Sequence, residues 1–337
     1  MSEPSPRPQS RPKRRGRVLR IGAALVVLAG VGGYLVVQYV TGGVGTRGCT
    51  VVSARDDSQS YEFTPEQAVN AATIAAVGTG RGMPERAVTI ALATALQESG
   101  LRNIEHGDRD SLGLFQQRPS QGWGTERQIM DPAYSAGIFY AHLARVPDYS
   151  ALPLTVAAQK VQRSGFPEAY AKHEQDAVLL AAALTGHSAA TLTCEGRPSR
   201  TAEATGPDAV REALVRDFGR DALQETGAEV GGRAVPSPSP SPSVTATAHG
   251  RTVTVPVPQG TKTDAHGRSE RQRGWQLAQW AVANSSALRI ARVTYEGREW
   301  TASNGGGDWH PVRTPAASGA AAGAESSLAS VRIVSGP

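Results

Sequence analysis

The chain has 337 residues, 5% of them aromatic, and a formal net charge of +5. That length accommodates one large or two modest domains plus tails, and the sparse aromatics with abundant Gly, Ala, Pro and Ser leave part of it unpacked. The charge is local: Arg7, Arg11, Lys13, Arg14, Arg15, Arg17 and Arg20 face a single Glu3 in the first twenty residues. The remainder is close to neutral, so the basic balance does not point to a nucleic-acid partner.

Residues 1–20 read as a basic cytoplasmic tail and 21–41 as a transmembrane anchor. The apolar run Ile21 to Val40 would form a helix about 30 Å long, enough to cross a bilayer. Tyr34, Gln38 and Tyr39 cluster at its far end, where amphipathic side chains reach the interface. The basic cluster keeps the N-terminus in the cytoplasm, which makes the expected location the cell membrane, single-pass, with the later domains outside. A cleaved signal peptide is the alternative, but the run exceeds a usual signal core and no convincing A-x-A site follows. Thr46-Arg47-Gly48 before Cys49 lacks the small and apolar residues of a lipidation site.

Cys49 and Cys194 fit an oxidising compartment. A bridge between them would close a loop of about 145 residues and stabilise by roughly 5 kcal/mol in the chain-entropy model. Two unrelated buried thiols are the alternative. With no C-x-x-C, no zinc or redox centre is expected.

Between the cysteines the chain reads as helical. Thr64-Pro65-Glu66-Gln67 is a capping box that opens a helix to about Val77, where Gly78, Gly80 and Gly82 are expected to break it. Pro84-Glu85 starts a second helix that Gly100 ends. Along it Ala87, Ile90, Ala91, Thr94 and Glu98 share one face. Glu98 therefore continues an apolar stripe into the last turn, where desolvation and the helix dipole both favour its protonated form.

A polar loop follows, with Asp108, Arg109 and Asp110 expected to pair among themselves. Leu112, Leu114 and Phe115 read as buried, while Gln116, Gln117 and Arg118 supply donors suited to sugar hydroxyls and acetamido groups. Trp123, between two glycines, is suited to stacking on a sugar face or to a structural role. Further helices are expected over 133–143, 155–161 and 167–184, with Gln159, Gln162 and Arg163 forming a second wall of a groove. These elements predict a compact all-α domain over 49–196.

Glu98-Ser99 at a helix end, followed after fifteen residues by Gly113-Leu114-Phe115-Gln116, resembles the lysozyme-like superfamily of soluble lytic transglycosylases and goose-type lysozymes. More narrowly, QESGLRN and GDRDSLGLFQQRPSQGWG resemble an actinobacterial group of membrane-anchored or secreted proteins. The resemblance spans roughly Cys49 to Cys194. The family's third element, Ala-Tyr-Asn, is replaced here by Gln159-Lys160. The resemblance implies cleavage of the β-1,4 bond between N-acetylmuramic acid and N-acetylglucosamine in peptidoglycan strands. Glu98 would be the catalytic acid/base, and no cofactor would be needed. Ser99, Asp108, Asp110, Gln116, Gln117, Trp123 and Gln159 are the candidate substrate-binding residues. Hydrolysis would need a second carboxylate, for which Asp108 and Asp110 are the candidates.

Beyond Cys194 the composition shifts. Residues 197–248 read as a linker with one amphipathic stretch, Asp208 to Leu223, and a Pro/Ser spacer over 236–243. Residues 249–313 read as a small α+β domain. It has a strand at 251–258 with Val253, Val255 and Val257 on one face, a helix at 274–288 and strands around the Glu296-Gly297 turn. The Trp275 to Trp300 pattern resembles a C-terminal domain of actinobacterial cell-wall proteins related to zinc peptidases. Thr254 stands where that metal motif needs Asp, so no metal is expected, and His266 and His310 read as surface residues. Residues 314–337 are expected to be a mostly disordered tail. The alternative to an enzyme is a non-catalytic peptidoglycan-binding or cell-envelope scaffolding protein that keeps a degenerate groove.

Overall fold

The structure is a computed structural model that describes residues 48–55, 57–165, 167–195, 205–220, 250–257, 267–302, 307–312 and 329–336. The anchor expected at 21–41 lies outside them; among the described residues no helix is long and apolar enough to cross a membrane. The described chain is mainly helical with two small antiparallel sheets.

The first helix, α1 (Pro65–Gly80), begins as the capping box requires: the Thr64 hydroxyl accepts from Gln67 N–H, and the Gln67 side chain accepts from Thr64 N–H. It does not stop at Val77. Gly78 and Gly80 are inside it, because neighbours come too close for a side chain: a Cβ at Gly78 would lie 2.6 Å from the Tyr140 ring, and one at Gly80 2.5 Å from the Phe218 carbonyl. The helical penalty of glycine is offset here by close packing. After a short turn comes α2 (Glu85–Ser99), which ends at Gly100 in the left-handed conformation with φ 63°. Then follow α3 (Glu126–Ile129), α4 (Pro132–Leu143), α5 (Leu154–Gln162), a 3-10 segment (Pro167–His173) and α6 (Glu174–Leu184). The helix expected over 167–184 is thus two pieces. α2 and α4 to α6 surround a core of alanines, leucines and stacked aromatics.

This region is not all-α. Strands β1 (Cys49–Val52), β2 (Ser60–Phe63) and β3 (Leu192–Cys194) form a sheet in the order β2-β1-β3. Its register puts Cys49 directly opposite Cys194, and the two are bonded as a disulfide, with Cα atoms 4.0 Å apart. The covalent link joins the start of the helical region to its end.

Two stretches expected to lie outside the packed domains, the short helix of the linker and part of the tail, pack into the fold. Helix α7 (Pro207–Phe218) falls in the expected linker, yet it packs on α1 and buries Val210, Leu214 and Phe218. Past the undescribed spacer, β4 (Thr252–Pro256), α8 (Glu270–Ala283), β5 (Ile290–Tyr295), β6 (Arg298–Thr301) and β7 (His310–Pro311) follow. The expected alternation of β4 is present, with Val253, Val255 and Val257 buried. The tail expected to be disordered contains β8 (Ser330–Ser335), which lies between β4 and β5 in a sheet ordered β4-β8-β5-β6-β7. Its Val331 and Ile333 alternate into the core, which is why this end of the chain is held.

Helix α8 joins this sheet to the helical region. The buried amide of Gln279 donates to the Ala183 and Ser188 carbonyls, both at 2.7 Å, and accepts from the Thr191 and Leu192 N–H groups, both at 3.0 Å. Trp309 Nε1 donates to the Leu192 carbonyl at 3.0 Å. Asp217, with a side chain 0% exposed, accepts from Trp280 Nε1 at 2.8 Å, Thr73 at 3.2 Å and Arg216 Nε at 2.8 Å. One carboxylate from α7 thus ties α1 to α8. Asp217→Ala strands an indole N–H and a hydroxyl in a dry interior, so unfolding in urea should show a loss of about 3 kcal/mol.

Candidate functional site

Glu98 occupies the last turn of α2, half-buried, one residue before buried Ser99. Its Oε1 accepts a hydrogen bond from Tyr170 Oη at 2.7 Å, and the Gln162 side chain also hydrogen-bonds to it. Burial pushes the Glu98 pKa above the usual carboxylate range; the Tyr170 and Gln162 hydrogen bonds oppose that shift without cancelling it. Burial, reinforced by the charge of Glu98 and its hydrogen bond, also raises Tyr170, which keeps the phenol a proton donor. The result is a carboxyl that holds its proton to higher pH than an exposed glutamate does, with two donors fixed against it.

The segment after the polar loop is built to carry this geometry. Leu112 and Gln117 exchange backbone hydrogen bonds of 2.9 and 3.0 Å, closing a tight turn over Gly113, Leu114, Phe115 and Gln116. Gly113 has φ 73°, and a Cβ there would stand 2.8 Å from the Ile129 carbonyl, so glycine is required on both counts. Leu114 and Phe115 point into the core, Phe115 stacking on Phe139 with centroids 4.6 Å apart. The Ser99 hydroxyl donates to the Leu114 carbonyl at 2.8 Å, and Gln162 Nε2 to the Phe115 carbonyl at 2.7 Å. The turn therefore fixes both the residue after Glu98 and the amide beside it.

The polar residues expected to meet substrate have other engagements. Ser99 is a buried tie between helix and turn, donating also to Ala95 at 3.1 Å. Gln116, at φ 47°, turns back on its own loop, accepting from Ser111 at 3.0 Å and donating to Gly113 at 3.2 Å. Gln117 is buried and donates to the Ser135 carbonyl at 3.0 Å, fastening the turn to α4. Gln159 donates to the Ser164 carbonyl at 2.7 Å. Asp110 accepts from Arg118 Nε at 2.7 Å and Ser120 N–H at 2.9 Å, and these bonds, Ser120 first, hold its carboxyl well below the usual range. Asp108, with a side chain 94% exposed, has only a loose pairing with Arg109 at 3.9 Å. Trp123 is half-buried and stacks on His142 with centroids 4.3 Å apart.

Gln162 and Tyr170, not Gln116 or Gln159, are therefore the side chains that touch Glu98. Gln162 lies on the same side of α5 as Gln159, one turn nearer the helix end, and only packing decides which of the two reaches the carboxyl. Tyr170 is a lone aromatic in the polar stretch Glu168-Ala169-Tyr170-Ala171-Lys172-His173, and that isolation is the one sequence sign of its role. Removing its hydroxyl deletes a bond that favours the charged carboxylate. Tyr170→Phe should therefore raise the Glu98 pKa further, and carboxyl-labelled NMR titration would read the shift. An unchanged or lowered Glu98 pKa would contradict the assignment.

A second group of polar residues lies away from Glu98. Thr79, Met83, Glu85, Thr185, His187, Gly267 and Gln272 line a cavity of about 210 Å³. There Glu85 pairs with His187, and Thr185 Oγ1 lies 3.0 Å from Glu85 Oε2 and 2.9 Å from His187 Nδ1. Burial works against the charge of Glu85, but its bonds with His187 hold its pKa below normal; the same bond raises His187 against its own burial. Among the described residues, no group of three or more His, Cys, Asp and Glu could hold a metal ion.

Residues 223–320 match a family model described as VldE, C-terminal domain. The match includes α8 and β4 to β7, and leaves out β8 and every residue around Glu98. No curated protein matches the chain.

Proposed function

We propose that the chain is a membrane-anchored, extracytoplasmic enzyme of the lysozyme-like superfamily that cleaves peptidoglycan glycan strands, with Glu98 as general acid and base. The observation that carries this reading is the Glu98 carboxyl itself: half-buried at a helix end, raised in pKa by that burial, and gripped by Tyr170 and Gln162. In the first step Glu98 donates its proton to the glycosidic oxygen as the C1–O bond breaks. The resulting carboxylate then takes the proton of the muramoyl 6-hydroxyl while that oxygen bonds to C1, giving a 1,6-anhydro end. No water is consumed and Glu98 is regenerated.

The surroundings favour this lyase course over hydrolysis. A hydrolase of this kind needs a second carboxylate to hold water or form an intermediate. Asp110 is committed to Arg118 and Ser120, and Asp108 stands out in solvent. Incubating the full-length chain with purified peptidoglycan tests the proposal: soluble fragments should appear, and sacculi left intact would contradict it. The non-catalytic alternative predicts co-sedimentation with sacculi and no fragments.

A further inference from the structure

The cavity of about 210 Å³ lies where four stretches of the chain meet: the end of α1, the start of α2, the residues after α6 and the start of α8. Its walls are closely set. Gly186, between Thr185 and His187, has φ 81°, and a Cβ there would stand 1.9 Å from the Gln272 carbonyl oxygen. The loop after α6 therefore lies directly on the first turn of α8. Thr79 of α1 is tied to the same helix by Gln276 Nε2, which donates to its hydroxyl at 2.5 Å.

Charges of both signs line this space, each fixed by its own bonds. Glu85 meets His187 Nδ1 and the Thr185 hydroxyl through one and the same oxygen, Oε2. Its Oε1 accepts no hydrogen bond among the described residues. The Glu85 and His187 side chains are 32% and 46% exposed, so solvent reaches the cavity at this wall. Arg268, from the residues before α8, donates from Nη1 to Gln276 Oε1 at 3.3 Å, which anchors its guanidinium beside the Thr79 end. Met83 and Pro84 supply apolar surface. The volume is that of about seven waters at roughly 30 Å³ each, below the ~300–1,000 Å³ of sites for drug-sized ligands. A fitting occupant is therefore small, with a cationic donor for Glu85 Oε1 and an anionic acceptor for Arg268.

We propose that this cavity is a binding site for a free α-amino acid. The ammonium group donates to Glu85 Oε1, the carboxylate accepts from Arg268, and the side chain lies against Met83 and Pro84. The site is separate from Glu98, and its test does not depend on cleavage of glycan.

Titration calorimetry of the full-length chain with both enantiomers of alanine and of valine tests the site. Each amino acid is compared with its two halves: ethylamine and propionate for alanine, isobutylamine and isovalerate for valine. At least one amino acid should bind about tenfold or more tightly than either of its halves, because only the whole molecule engages both charges. Arg268→Gln should bring that amino acid down to the affinity of the amine, and Glu85→Gln down to that of the acid. Thermal unfolding without ligand checks that each variant is folded. Glu85 also holds Thr185 and His187, so if its variant does not fold, Arg268→Gln and the half-molecules decide the question alone. An amino acid that binds no better than one of its halves, or an affinity unmoved by Arg268→Gln, overturns the site. So does the absence of binding by all four amino acids up to about 10 mM.

Discussion

Glu98→Gln should reduce release of soluble peptidoglycan fragments by roughly a thousandfold, the mid-range of what a positioned general acid contributes. The substitution keeps the size of the side chain and the means to accept from Tyr170 Oη, so the fold should survive with an unfolding midpoint close to that of the parent. What it removes is the exchangeable proton. Because burial raises the Glu98 pKa, the parent should stay active to higher pH than an ordinary carboxyl would allow and lose activity as pH rises through that raised value, since the leaving oxygen then finds no proton. The glutamine variant should show no such limb. A variant that retains clearing would mean that another group protonates the glycosidic oxygen.

Removing the disulfide should have the largest effect on stability. Cys49 and Cys194 are 145 residues apart in the chain and directly opposite across β1 and β3. Opening a loop of that length releases chain entropy to the unfolded state, a loss of roughly 5 kcal/mol for Cys49→Ser with Cys194→Ser. The sheet it closes is only three strands wide, and the Leu192 backbone on its β3 edge is bonded to Gln279 of α8 and to Trp309 beside β7. The damage should therefore reach the C-terminal sheet as well as the helices. Urea unfolding followed separately by tryptophan fluorescence, which reports mainly on Trp275, Trp280, Trp300 and Trp309, and by far-ultraviolet dichroism should show both signals shifting together. A fluorescence transition that stays in place would contradict the shared core.

The parts of this fold that were legible in the sequence are those set by local chemistry. The Thr64 box and the Gly100 stop each satisfy helix-end hydrogen bonds within a few residues, and each stands where the sequence places it. The apolar stripe that leads to Glu98 is a matter of helical period alone. What was not legible depends on distant partners. Gly78 and Gly80 look like helix breakers until Tyr140 and Phe218 arrive from elsewhere in the chain. Asp217 looks like one more surface acid until Trp280 closes over it. Strand β8 pairs with β4 and β5 across long separations, so its six residues carried little signal against the Ala/Gly-rich stretch before them.

The candidate site divides along the same line. Glu98 was marked by its place on a helix, whereas the identity of its partners was a question of packing. Gln116 and Gln117 had the right chemistry for sugars, but the Gln116 side chain folds back on its own turn and that of Gln117 fastens the turn to α4. Gln162 and Tyr170 reach Glu98 because the turn carbonyl of Phe115 and the 3-10 segment position them, a relation between segments 47 and 72 residues apart from their partners.

The measurement that tests the central claim most directly is mass spectrometry of fragments released from purified peptidoglycan by the full-length chain in water enriched in oxygen-18. A single carboxyl that passes its proton out and back predicts 1,6-anhydro ends without the heavy isotope. Reducing ends that carry oxygen-18, or no fragments at all, would contradict it.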